Sequence, residues 1–252
     1  MSDPLHQFEI QPMLFSLDIG GVDLSFTNSA LWMFIAAILS TVTLTAGMRR
    51  KALVPGRLQA LSEMLYEFVA NMIRENIGSK GRGYFPLIFT TFVIVLLGNL
   101  LGMIPYSFTY TSHIIVTMAL ALFIFALVIV IGIVKNGTKF FTLFAPPGVP
   151  FVLLLLVIPL EIISFLARPI TLAVRLFANM MAGHLILKVF AGFSVAMIGI
   201  EGIGIFGYVA GAFPMLVNSI LIAFEILIAL LHAYVFAVLS CIYLKDTVDL
   251  HH

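Results

Sequence analysis

The chain has 252 residues, of which 62% are hydrophobic and only 10% charged, against roughly 45–50% and about 25% in soluble domains. Its formal net charge of +1 gives no basic field suited to nucleic acid, and its single cysteine, Cys241, excludes a disulfide framework or a cysteine metal cluster. The polar groups are too few to cover such a surface in water, so lipid is the expected solvent.

Residues 1–29 read as an acidic, proline-containing lead, expected outside, with Asp3, Glu9, Asp18 and Asp23. The first basic residue is Arg49, so the lead lacks the positive start of a secretory signal. A spanning helix needs about 20 mostly apolar residues, and residues 30–48 meet this before the Arg49-Arg50-Lys51 run. Over 57–78, Leu58, Leu61, Leu65, Phe68 and Met72 recur at spacings of three and four, while Gln59, Glu63, Glu67, Asn71, Arg74 and Glu75 take other faces. That spacing predicts an amphipathic helix lying at the membrane surface or beside the bundle.

Residues 84–104 and 114–134 are further spans, joined by a turn containing Pro105 and Tyr106. Beyond Gly137 and Pro146-Pro147, the apolar stretch 149–198 is interrupted by Pro159 and by Arg168-Pro169. It reads as a tilted helical hairpin making one net crossing, with an arm over 149–168 and a second helix over 169–192. The last segment, 205–245, extends roughly 60 Å if helical, too long for an upright crossing of a core about 30 Å thick. The expected fold is all-α and polytopic, with about five net crossings. Its last two long helices are strongly tilted and pair as a hairpin, and the chain forms one membrane domain.

Basic residues set the expected orientation. Arg49, Arg50, Lys51, Arg57, Arg74, Lys80 and Arg82 lie between the first two spans, Lys135 and Lys139 follow the third, and Lys245 follows the last. The lead, 105–113 and 199–204 hold none. The positive-inside rule then places the N-terminus outside and the C-terminus in the cytoplasm. Arg168, Arg175 and Lys188 remain within the apolar stretches.

Ionisable residues inside a membrane segment are costly and mark pathways or partners. At 100° per residue, Arg168, Thr171, Arg175 and Asn179 share one helical stripe, while His184 and Lys188 fall near the opposite face. Arg168 and Lys188 can each be read as snorkelling to water. Arg175, enclosed by Leu172, Ala173, Val174, Leu176, Phe177 and Ala178, is too deep for that. It is either a structural ion pair or a functional charge.

In the last segment Asn218, Glu225 and His232 stand seven apart, and Tyr243 returns to the same face. A carboxyl and an imidazole on one apolar helix suit a proton relay, or a polar pair holding helices together. Glu161 could pair with Arg168 or line a watery vestibule. Asn99 suits an interhelical hydrogen bond, and His113 an interfacial position. No GxxxxGK[ST] loop, HExxH motif or hydrolase elbow competes with proton transfer.

At these residues a family resemblance emerges. Arg168-Pro-Ile-Thr-Leu-Ala-Val-Arg175-Leu-Phe-Ala-Asn179-Met-Met-Ala-Gly183-His184 resembles the S/T-L-x-x-R-L-F-x-N-x-x-A-G-x signature of the a-subunit of F-type ATP synthase. The resemblance extends to Pro4-Leu-His-Gln-Phe8, Asn99-Leu-Leu-Gly-Met-Ile-Pro105 and Glu225-Ile-Leu-Ile-Ala-Leu-Leu-His232, and so covers nearly the whole chain. It implies a non-catalytic stator subunit whose two offset half-channels load and unload protons on a rotor ring of small hairpin proteolipids. Peripheral-stalk membrane subunits are the other implied partners, and no cofactor or metal is expected.

Carried over by position, Arg175 matches the family's arginine. Asn179, His184, Glu225 and His232 would line the path open to the outside, and Glu161 would lie towards the cytoplasmic exit. In the enteric bacterial pattern the position of His184 holds Glu and that of Glu225 holds His. Here the two are exchanged, as in mitochondrial and α-proteobacterial relatives, and the acid–imidazole pair is kept. The position of His232 is commonly Gln. The implied membrane is a bacterial inner membrane or the mitochondrial inner membrane. On physical grounds alone, a secondary proton-coupled transporter with an Arg/Glu/His site at its midplane stays open.

Overall fold

The structure, a computed structural model, describes residues 8–12, 18–19, 22–23, 25–49, 55–104, 107–145, 150–199 and 205–248. Asp3, the Pro4–Gln7 part of the first motif, Arg50-Lys51, Pro105-Tyr106 and Pro146-Pro147 lie outside the described residues. Among the described residues, a two-residue antiparallel pair, β1 (Asp18–Ile19) and β2 (Val22–Asp23), precedes six α-helices. These are α1 (Asn28–Arg49), α2 (Arg57–Asn76), α3 (Phe85–Gly102), α4 (Ile114–Asn136), α5 (Phe151–Ile198) and α6 (Ile205–Val248). Among the described residues, five helical segments are long and apolar enough to cross a membrane. The chain is an all-α polytopic membrane protein.

Its outer surface suits that solvent. Ile115, Val134 and Leu155 are each more than three-quarters exposed, as their hydrophobic side chains could not be on a water-facing surface of this extent. The main apolar cluster is drawn from α2 through α6, with Val69, Ile88, Phe92, Val128, Leu176, Met180, Phe236 and Leu244 almost wholly buried, and smaller clusters form around Ala36 and Phe108 and around Phe125 and Phe140. On α6, Ala229, Ala233 and Ala237 stand one turn apart and are fully buried. Such small residues let a neighbouring helix approach closely, and the Asn99 Nδ2 of α3 donates to the Ala229 carbonyl at 3.3 Å. The interhelical bond expected of Asn99 is therefore present.

Two expectations change. The stretch 149–198 is not a hairpin of an arm and a separate helix: α5 runs unbroken for 48 residues through Pro159 and Pro169. A proline removes one N–H, whereas a chain break in lipid would strand many backbone groups, so continuity is the less costly outcome. The hairpin expected of the last two long helices is formed by α5 with α6, the most extensively packed pair of elements. At about 1.5 Å per residue, helices of 48 and 44 residues are each more than twice as long as the hydrocarbon core is thick. Neither can stand upright and straight within it.

The second change concerns α2. Its packed face runs through Ser62, Val69, Met72 and Ile73; of the predicted apolar stripe Met72 is buried and Leu65 half-buried, whereas Leu58, Leu61 and Phe68 are exposed. Both faces of α2 meet apolar surroundings, because Phe68 also lies over Phe92 and Tyr234, each at 5.6 Å between ring centroids.

Candidate functional site

The polar residues of α5 and α6 meet as a ladder between antiparallel helices. Ser194 Oγ donates to the Gly211 carbonyl at 2.6 Å. Further along, His184 Nε2 lies 3.7 Å from Glu225 Oε1. The Asn179 side-chain amide is hydrogen-bonded to His232 Nε2. At the far end Arg168 Nη1 donates to Asp246 Oδ2 at 2.9 Å. The partners descend α5 as they ascend α6, as an antiparallel pair of helices requires.

The His184–Glu225 rung is the most enclosed of the ionisable contacts, with side chains 11% and 6% exposed. Space for it is made by Gly183: a Cβ there would stand 2.7 Å from Glu225 Oε1. Neither Glu225 oxygen has a hydrogen-bond donor among the described residues. On its other side His184 Nε2 lies 3.1 Å from Thr109 Oγ1, in the α3–α4 connection. His232 is buried, and Asn218 on the same face is half-buried, its Oδ1 without a partner among the described residues.

Arg175 sits between the Asn179–His232 and Arg168–Asp246 rungs in the sequence of α5. It is not part of the protein core, as the apolar residues around it suggest. Its neighbours Leu172, Ala173 and Leu176 turn inward, while Arg175 is exposed on the surface of the chain with Thr171, Val174 and Asn179. Among the described residues it has no hydrogen bond or ion pair, so a structural ion pair within the chain does not account for it. Its charge still acts electrostatically on His232 and Tyr243.

Arg168 neither pairs with Glu161 nor reaches for water alone. It is held by Asp246 and lies 5.2 Å from the Tyr243 ring and 5.7 Å from the Phe165 ring. Glu161 is exposed and belongs to none of these rungs, Thr171 Oγ1 donates only to the Arg168 carbonyl at 3.0 Å, and Lys188 is exposed. His113, at the start of α4, stacks on Phe108 with centroids 5.1 Å apart. Its Nε2 is buried without a partner among the described residues, and burial pushes the imidazole below its ordinary 6.5. Next to it, burial pushes the Tyr110 phenol up to about 12, so it stays neutral.

Two contributors were not singled out from the sequence. Asp246 follows Lys245 and looks like a solvated helix end. Thr109 lies in a charge-free run rich in hydroxyls, Ser107 to Ser112, and that composition between two apolar segments was the available signal. No group of three or more histidine, cysteine or acidic side chains is placed to hold a metal among the described residues.

The family model described as ATP synthase A chain matches residues 30–245. The protein called ATP synthase subunit a of Mesorhizobium japonicum is 51% identical over 250 residues, covering 99% of this chain and 98% of its own length. Its namesake from Bradyrhizobium diazoefficiens is 52% identical over 251 residues and 99% of both chains. That of Paramagnetospirillum magneticum is 50% identical over 254 residues and the full length of both. The chain belongs to the ATP synthase A chain family.

Proposed function

We infer that this chain is the proton-translocating stator subunit of an ATP synthase membrane sector, without catalytic activity of its own. It forms two offset half-channels that protonate and deprotonate the carboxylate of a rotor ring of small hairpin proteolipids. Peripheral-stalk membrane subunits hold it in place in a bacterial inner membrane, with the N-terminus outside and the C-terminus in the cytoplasm.

One observation carries this reading: Arg175 is a surface-facing cation flanked along α5 by two polar contacts to α6. On one side lie Asn179, His184, Glu225 and His232; on the other lie Arg168, Tyr243 and Asp246. Glu225 and His184 offer exchangeable protons near each other and serve as the relay of the outer path. Asn179 and His232 extend that path towards Arg175, with Asn218 beyond Glu225. Glu161 and Thr171 stand towards the cytoplasmic exit.

The chemistry explains the residue types. A ring carboxyl must be neutral to face lipid, since a bare charge in hydrocarbon is prohibitive. Opposite Arg175 it can give up its proton, and past it the carboxylate must be reloaded from the other path. An arginine, which deprotonates only above about pH 12, offers no proton carrier between the paths. The exposed setting of Arg175 fits a partner's carboxylate as its counter-charge.

The test is Glu225→Gln in assembled complexes reconstituted in vesicles. Proton flux is expected to fall strongly with assembly retained; flux at the wild-type rate would remove Glu225 from the relay.

A further inference from the structure

We propose that Thr109 is a positioning residue for proton transfer, holding the His184 ring beside Glu225 and selecting its Nε2–H form. The proposal rests on the relay reading of His184 and Glu225. Its observations lie outside α5 and α6, in the connection that leads from α3 to α4.

Thr109 is 6% exposed, and its hydroxyl oxygen has two partners: the Gly102 carbonyl at 3.1 Å and His184 Nε2 at 3.1 Å. A threonine hydroxyl has one proton, and a carbonyl can only accept. Thr109 therefore donates to Gly102, at the end of α3 where helix carbonyls lack intrahelical donors. Its lone pairs remain for His184, whose Nε2 must then be the donor. The hydroxyl is thus an oriented acceptor, and its orientation comes from the backbone of α3.

The same Nε2 lies 3.7 Å from Glu225 Oε1, beyond hydrogen-bond range. The proton on Nε2 is consequently held at Thr109 within a small ring rotation of the carboxyl. Besides Glu225 on α6, the charge acting on His184 is Lys188, one turn further along α5. Thr109 is the neutral third group, and it fixes where the ring points.

The connection is built to hold that oxygen still. Ser107 Oγ donates to the Leu101 carbonyl and Ser112 Oγ to the Thr109 carbonyl, both at 2.6 Å. A Cβ on Gly102 would stand 2.7 Å from Thr109 Oγ1, and one on Gly98 would stand 2.1 Å from the Tyr110 hydroxyl. The two glycines, one turn apart, thus form a ledge on α3 that only this close approach requires. The result is a rigid acceptor on a rigid element opposite a titratable ring.

The experiment compares Thr109→Val, which keeps shape and removes the hydroxyl, with Thr109→Ser, which keeps the hydroxyl. Assembled complexes in vesicles are assayed for proton-driven flux as a function of outside pH, with Glu225→Gln alongside. The expected result is a roughly two- to tenfold loss of flux in Thr109→Val, the worth of one hydrogen bond, with a displaced pH profile. Thr109→Ser should restore both rate and profile.

A Thr109→Val complex with wild-type rate and profile overturns the proposal, as does a Thr109→Ser complex impaired equally. Loss of assembly in both Thr109→Val and Thr109→Ala, with Thr109→Ser normal, assigns the hydroxyl to folding of the connection and overturns it as well. If Glu225→Gln conducts normally, it is the underlying relay that has failed.

Discussion

Gly183 and Glu225 face each other so closely that a single methyl on Gly183 would come within 2.7 Å of the carboxylate oxygen Oε1 and 3.1 Å of Cδ. The glycine is needed for the close approach itself, since its φ is not in the left-handed region. Gly183→Ala is therefore expected to displace the carboxyl, the flexible end of its side chain, rather than break the α5–α6 contact. The complex should assemble, while proton flux falls by about tenfold or more, because transfer is sensitive to displacements near 1 Å. Flux measurements on purified complexes of matched subunit content check this.

At the other end of the hairpin, Arg168 and Asp246 are about 30% exposed, 27% and 33%, so their ion pair is partly screened. The Tyr243 and Phe165 rings add a cation–π contribution. A double-mutant cycle with Arg168→Gln and Asp246→Asn is expected to give a coupling of roughly 0.5–1 kcal/mol. Each single change should lower the thermal midpoint of the purified complex modestly. Strict additivity would show that the contact contributes nothing to holding α5 against α6.

Periodicity made some of this site legible and left other parts hidden, for separable reasons. Glu225 and His232 stand on one face because seven residues make nearly two turns, and the structure turns both inward. His184 was separable from Arg175 by the same geometry, and it does face Glu225 while Arg175 faces outward. Periodicity cannot say what covers a face: Leu58, Leu61 and Phe68 of the α2 stripe are exposed, whereas Val69 and Ile73 beside it join Met72 on the packed side. In lipid, apolar character does not separate buried from exposed positions as it does in water.

Pairings across long sequence distances were likewise invisible. Arg168 had a nearby acid in Glu161, but finds Asp246 at 78 residues' separation because α6 folds back alongside α5. Thr109 reaches His184 across 75 residues by the same kind of tertiary placement. The prolines misled in the other direction. Pro159 and Pro169 are strong interruption signals in water, whereas α5 continues through both.

The α3–α4 connection should respond to acid through His113. Its folded imidazole titrates below 6.5 because burial disfavours the charged ring, so the unfolded chain binds more protons below 6.5. The stability of this connection is then level above pH 6.5, declines as pH falls below that value towards the folded pKa, and flattens beneath it. Hydrogen exchange over residues 107–113, corrected for intrinsic rates and followed from about pH 7.5 to about pH 5, is expected to show that loosening. His113→Gln, which carries no titrating proton, should remove the dependence.

Proton-driven ATP synthesis by complexes carrying Arg175→Lys bears most directly on the role of the surface cation. Lysine keeps the positive charge but can lose its proton in a low-dielectric site, and it lacks the planar fork of arginine. Coupled synthesis is predicted to be abolished in complexes that assemble normally. Synthesis at the wild-type rate in such complexes would contradict the placement of Arg175 as the barrier between two proton paths.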